Sequence, residues 1–166
     1  MWTTLPLMFA LAFLPPHGAS AAAQDDPNAR PYHRGIVAQL SRRTVKGRVL
    51  TSPATPAARI EFDKKFKYVG SQDFILYGVA RAEQHFFVEA DESGRVRRLY
   101  WVQFEGYLPD NTHTYDYESA KTVRLGPFDF FADLLALNIK NNPSRPDSDG
   151  ARAQSFLESK GFRMAG

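Results

Sequence analysis

The sequence predicts an α+β domain: an antiparallel sheet of four or more strands, from about Arg59 to Leu125, followed by two C-terminal helices packed on one of its faces. Three observations predict it. From Arg59 to Tyr107 apolar and polar residues alternate between turn residues, the period of half-buried strands. Two later segments, Phe128–Lys140 and Gly150–Lys160, carry helical spacing and helix-terminus residues. Strands come first and helices afterwards, without the β–α alternation of a parallel doubly wound sheet.

The chain opens on an apolar run, Leu7–Leu14, closed by Pro15-Pro16 and followed by small residues, Ala19-Ser20-Ala21-Ala22-Ala23. This is the pattern of a signal peptide over residues 1–23, cut after Ala21 or Ala23, although Met1–Thr4 lacks the Lys or Arg usual there. The run is shorter than the roughly twenty apolar residues of a membrane-spanning helix. The expected location is therefore outside the cytoplasm, periplasmic or extracellular. What remains, 166 less 23 or 143 residues, is the size of one domain. Such a domain buries about two thirds of its unfolded surface.

Residues 24–58 read as a disordered start, a basic segment and a proline-rich loop. From Arg30 to Arg48 there are six basic residues and no acidic one, with Ile36, Val37 and Leu40 on one face of a short helix. A basic run ordinarily solvates the element that carries it. The sharper reading is a weak, salt-sensitive attraction to an anionic surface through Arg42, Arg43, Lys46 and Arg48. The formal charge of +3 is too mild for a specific nucleic-acid partner.

The α+β domain occupies 59–166. Ile60, Phe62, Phe66 and Tyr68 alternate with charged residues as a first strand. Gly70-Ser71-Gln72-Asp73 reads as a turn, and Phe74–Val79 as a denser strand in which Gly78 marks a bulge or kink. Asp91-Glu92-Ser93-Gly94-Arg95 has an acidic opening residue and a late glycine, the signature of a three-residue hairpin turn. Continued regularly, that turn pairs Glu89 with Arg97, Phe87 with Leu99, His85 with Trp101 and Glu83 with Gln103. Phe86, Val88 and Ala90 then share a core face with Val96, Tyr100, Val102 and Phe104. A slip of one residue would exchange the faces and pair Glu89 with Arg98.

Further on, Gly106–Asn111 is a turn, and Thr112–Tyr117 and Thr122–Leu125 read as short strands. Pro127 suits the first position of a helix over Phe128–Lys140, whose broad apolar surface should lie across the sheet. Asp147-Ser148-Asp149 offers caps for a second helix. Gly161 fits its left-handed stop, with Phe162 touching Leu157.

With no cysteine, the chain has no disulfide, thiolate metal site or cysteine nucleophile. His33, His85 and His113 lack the close spacing of a zinc site, and no nucleotide, phosphate-loop or nucleophile-elbow motif is present, so neither metal nor cofactor is expected. Glu83 and His85, two apart on one strand face, are the candidate acid–base pair. His85, Phe87, Leu99, Trp101 and Gln103 form the expected wall of a site for an apolar or aromatic ligand, with Tyr107 and Tyr115 at its rim. Core packing is the competing reading for each of these aromatics. The sequence thus points to an exported, non-enzymatic binding module. The alternatives are a small enzyme using Glu83 and His85, and an interaction or structural protein; a sealed sheet face would favour the last.

Overall fold

Three small antiparallel sheets and one helix make up the described residues, in place of the single sheet of four or more strands with two helices that the sequence predicts. The structure, a computed structural model, describes residues 12–13, 43–53, 56–109, 111–112, 121–126, 128–134 and 144–164. The strands are β1 (Ala12–Phe13), β2 (Thr44–Lys46), β3 (Val49–Ser52), β4 (Ala58–Glu61), β5 (Lys67–Leu76), β6 (Ala80–Ala90), β7 (Val96–Tyr107), β8 (Lys121–Leu125) and β9 (Phe128–Ala132); the helix is α1 (Asp149–Ser159). β2–β3–β4 form one sheet and β5–β6–β7 another. The third is the β8–β9 hairpin, with the two-residue β1 on the outer edge of β9.

The β5–β6–β7 sheet is the middle layer. On one face Leu50 of β3 and Phe62 and Phe66 after β4 pack against Phe87 and Phe104. Phe62 stacks on Phe87 with ring centroids 3.8 Å apart. On the other face Ala153 and Leu157 of α1 pack against Phe86, Val88, Val96 and Leu99. Burying a large apolar side chain contributes about 1.5–3 kcal/mol, so the clusters on the two faces hold the three layers together.

The β6–β7 turn forms as its residues dictate. Gly94 N–H donates to Asp91 O at 2.9 Å, Asp91 N–H donates to Arg95 O at 3.0 Å, and Gly94 takes φ 78°. The predicted register nevertheless fails four residues later. Ala90 pairs with Val96 but Glu89 pairs with Arg98, leaving Arg97 as an extra residue. Beyond it Phe87 lies opposite Tyr100, His85 opposite Val102 and Glu83 opposite Phe104. The physical reason lies in the α1 core. Val96 and Leu99 are three residues apart, a spacing that puts them on opposite faces of a regular strand. The bulge turns both toward the helix, where they are 2% and 8% exposed. Trp101 follows Leu99 to that face, while Tyr100, Val102 and Phe104 face the β2–β3–β4 side.

Two glycines exchange the roles expected of them. Gly70–Asp73 is no turn but the middle of β5, where Val69 is an extra residue between the Tyr68–Phe87 and Gly70–Phe86 pairs. Gly70 has φ 132°, and a Cβ there would lie 2.9 Å from the Phe156 ring of α1. The chain reverses instead at Tyr77-Gly78, where Val79 N–H donates to Leu76 O at 3.0 Å.

The expected helix over Phe128–Lys140 begins as a strand: Phe128 pairs with Leu125 across Gly126, and Phe130 with Val123. Closely spaced aromatics suit a strand, and the two-residue connection keeps β9 beside β8. Residues 135–143 lie outside the described residues, as do the expected helix around Ile36–Leu40 and nearly all of the Thr112–Tyr117 strand. Of the expected signal peptide only Ala12 and Phe13 are described, paired with Phe131 and Phe130. The C-terminal helix follows its sequence signals. Ala151 N–H donates to Ser148 Oγ at 3.1 Å, Phe162 N–H reaches Leu157 O at 3.0 Å, and Gly161 takes φ 83°.

Candidate functional site

Strand alternation on β6 sends Glu83, His85 and Phe87 toward the β2–β3–β4 sheet, and Gln84, Phe86 and Val88 toward α1. Each of these faces carries a polar network. On the first, Arg43 Nη1 donates to Glu83 Oε2 at 3.0 Å, His85 Nε2 meets Glu83 Oε1 at 2.8 Å, and the Tyr68 hydroxyl meets His85 Nδ1 at 3.2 Å. A carboxylate only accepts, so with neutral His85 the proton sits on Nε2 and Tyr68 donates to Nδ1. The Arg43 guanidinium lies 3.7 Å from the Phe104 ring centroid. Burial pulls it below its ordinary pKa, against the opposing charge and hydrogen bond of Glu83. Burial likewise pushes the Tyr68 phenol up, so it stays a hydrogen-bond donor at neutral pH.

The acid–base pair read from the sequence is therefore in direct contact, but it is enclosed. His85 is 3% exposed, Glu83 8% and Arg43 8%. Leu50, Phe62 and Phe66 occupy the face on which a substrate would have to lie. Arg43, expected among the anionic-surface contacts, is corrected to a buried counterion: a charge enters a core only with a partner, and Glu83 is that partner. Of the other basic candidates, Lys46 is exposed, Arg48 is exposed and paired with Glu61 at 3.3 Å, and Arg42 lies outside the described residues.

The second network runs across three strands. Gln72 Nε2 donates to Gln84 Oε1 at 2.7 Å, and Gln84 Nε2 to Gln103 Oε1 at 2.6 Å. Gln103 Nε2 in turn donates to Glu105 Oε1 and, at 3.2 Å, to Asp149 Oδ2. The amides all point the same way, toward two carboxylates beside the first turn of α1. The remaining donors are used on the helix: Gln72 reaches Arg152 O at 3.0 Å and Gln84 reaches Asp149 O at 3.2 Å. Burial pushes the Glu105 carboxyl up; the Gln103 bond opposes this and the Asp149 charge adds to it. Glu105 Oε2 and Trp101 Nε1 are buried and have no hydrogen-bond partner among the described residues.

The bulge at Arg97 divides the ligand wall expected from the sequence. His85 and Phe87 lie on one face; Leu99, Trp101 and Gln103 lie on the other, under α1, with Tyr107 at the far end of the same strand face. Tyr115 is outside the described residues. Glu83, His85 and Gln103 do not converge. Sequence reasoning missed Tyr68, Gln72, Gln84 and Asp149. One signal for the ladder was legible, since Gln84 and Gln103 are uncharged polar residues inside strongly apolar strands. Linking them required the observed register. No group of three or more His, Asp or Glu side chains placed to hold a metal occurs among the described residues, and no helix among them is long and apolar enough to cross a membrane. No protein-family model, curated protein or solved structure matches the chain.

Proposed function

We propose that this is an exported interaction domain that works through its outer surface and encloses neither a small ligand nor a reaction. One observation carries the reading: the side chains suited to a ligand wall are split between two sheet faces, and each face is filled by the protein itself. Phe87 meets Leu50 and Phe62 and His85 meets Glu83, Tyr68 and Phe104, while Leu99 meets Ala153 and Leu157. The Arg43–Glu83–His85 and Gln72–Gln84–Gln103 networks then help to fix the stacking of the layers, because their hydrogen bonds form in one arrangement of the partners. The Glu83–His85 contact of 2.8 Å has the geometry acid–base chemistry needs, but a substrate would have to displace aromatic core to reach it. Export rests on the leader pattern alone.

The test is native mass spectrometry of the protein isolated from its source, with cross-linking of the same preparation. The expected result is the mass of the processed polypeptide without a stoichiometric organic ligand, together with cross-links from surface lysines to a macromolecular neighbour. A discrete organic ligand retained through gel filtration and lost in Trp101→Ala or His85→Ala would overturn the reading.

A further inference from the structure

The C-terminal stop of α1 delivers the chain to the tip of the β6–β7 hairpin. Arg163 N–H donates to Gly94 O and Val96 N–H to Arg163 O, both at 2.9 Å, so Arg95 and Arg163 are partners in a short parallel bridge. Bridge partners project to the same side, and two like charges set opposite one another repel. Ordinary sequence choice avoids this arrangement unless something offsets it. The carboxylate at the turn does not: Asp91 Oδ1 accepts from Ser93 and from the Arg95 main chain, and its Oδ2 holds Arg97 at 2.9 Å. The Arg95 side chain forms no ion pair among the described residues. Arg163 spends one nitrogen on Ser93 O at 2.8 Å, which orients its guanidinium, and its other side-chain donors have no acceptor among the described residues. Ser93, Arg95, Arg163 and Met164 line an open notch of about 390 Å³, large enough for a tetrahedral oxyanion. Gly94 packs closely on Gly161 beside the notch, where a Cβ would come within 2.5 Å of Gly161 O.

We propose that the Arg95–Arg163 notch binds a phosphate-like oxyanion, free or displayed by a partner. Two guanidiniums on one backbone bridge present planar donor forks of the kind that grip phosphate oxygens, and an anion between them removes the repulsion that the bridge creates. The identity of a partner rests on the surface-interaction reading above; oxyanion binding does not.

The experiment is an amide NMR titration of the protein with inorganic phosphate, sodium chloride holding the ionic strength constant. Saturable shifts centred on Gly94, Arg95, Arg163 and Met164 are expected, with a Kd on the order of 1 mM. Arg95→Gln and Arg163→Gln should each weaken binding at least tenfold, while Arg59→Gln, remote from the notch, should not. Vesicles containing phosphatidic acid, against phosphatidylcholine alone, tell a displayed phosphomonoester from the free ion. Shifts that do not saturate, that chloride reproduces, or that survive in both notch variants would overturn the proposal. An organic ligand found by native mass spectrometry would overturn the surface reading and leave this one standing.

Discussion

Removing Glu83 should be among the most damaging single changes in this domain. Arg43 and Glu83 are joined at 3.0 Å with side chains 1% and 11% exposed, so Glu83→Ala takes the Glu83 carboxylate away from a buried guanidinium. Breaking a buried pair in this way costs about 3–5 kcal/mol. The Phe104 ring stays beneath Arg43 in both proteins and so cancels, while His85 loses its 2.8 Å acceptor, so the expected loss lies in that range of about 3–5 kcal/mol. Urea unfolding followed by circular dichroism at pH 7 measures it. Arg43→Met combined with Glu83→Ala should recover at least half of the loss, because no unpaired charge is then buried. Glu61→Ala is the control: its partners Arg48 and Arg59 are 47% and 63% exposed, and the cost should stay below about 0.5 kcal/mol. A Glu83→Ala loss under about 1 kcal/mol, or no recovery in the double variant, would show that the pair does not organise this face.

Gln84→Leu should cost about 2–4 kcal/mol in the same assay, since Gln84 is fully buried and its removal strands the Gln103 side-chain carbonyl and takes an acceptor from the Gln72 amide. Glu105→Gln should raise stability at neutral pH by about 1 kcal/mol by removing a partly buried charge beside Asp149. The sign follows from linkage. A carboxyl raised in the folded state is most favourable when protonated, so wild-type stability is fullest below the unfolded pKa and falls as pH rises through the folded one. The advantage of Glu105→Gln in urea midpoint should therefore be present at pH 7 and vanish near pH 4. Gly94→Ala places a Cβ at φ 78° and 2.5 Å from Gly161 O; it should cost roughly 2 kcal/mol and speed hydrogen exchange of the Arg163 and Val96 amides.

Local chemistry was legible in the sequence wherever one or two neighbouring residues decide the outcome. Asp91 and Gly94 set the hairpin turn, Ser148 caps α1, and Gly161 with Phe162 stops it, because each satisfies backbone groups or a positive φ within a few residues. The antiparallel character and the pairing of Glu83 with His85 on one face followed from period alone. Only the tertiary structure decided which face each part of β7 presents. A single extra residue at Arg97 is invisible to alternation, yet it reverses every side chain beyond it, and it exists because α1 needs both Val96 and Leu99. The same holds at Gly70, whose meaning depends on the Phe156 ring above it, and at Phe128–Ala132, where pairing with β8 overrides a helical reading. Arg43 makes the point for charge: within its own segment it belongs to a solvated basic run, and the Glu83 carboxylate, forty residues away, gives its guanidinium a partner in the interior.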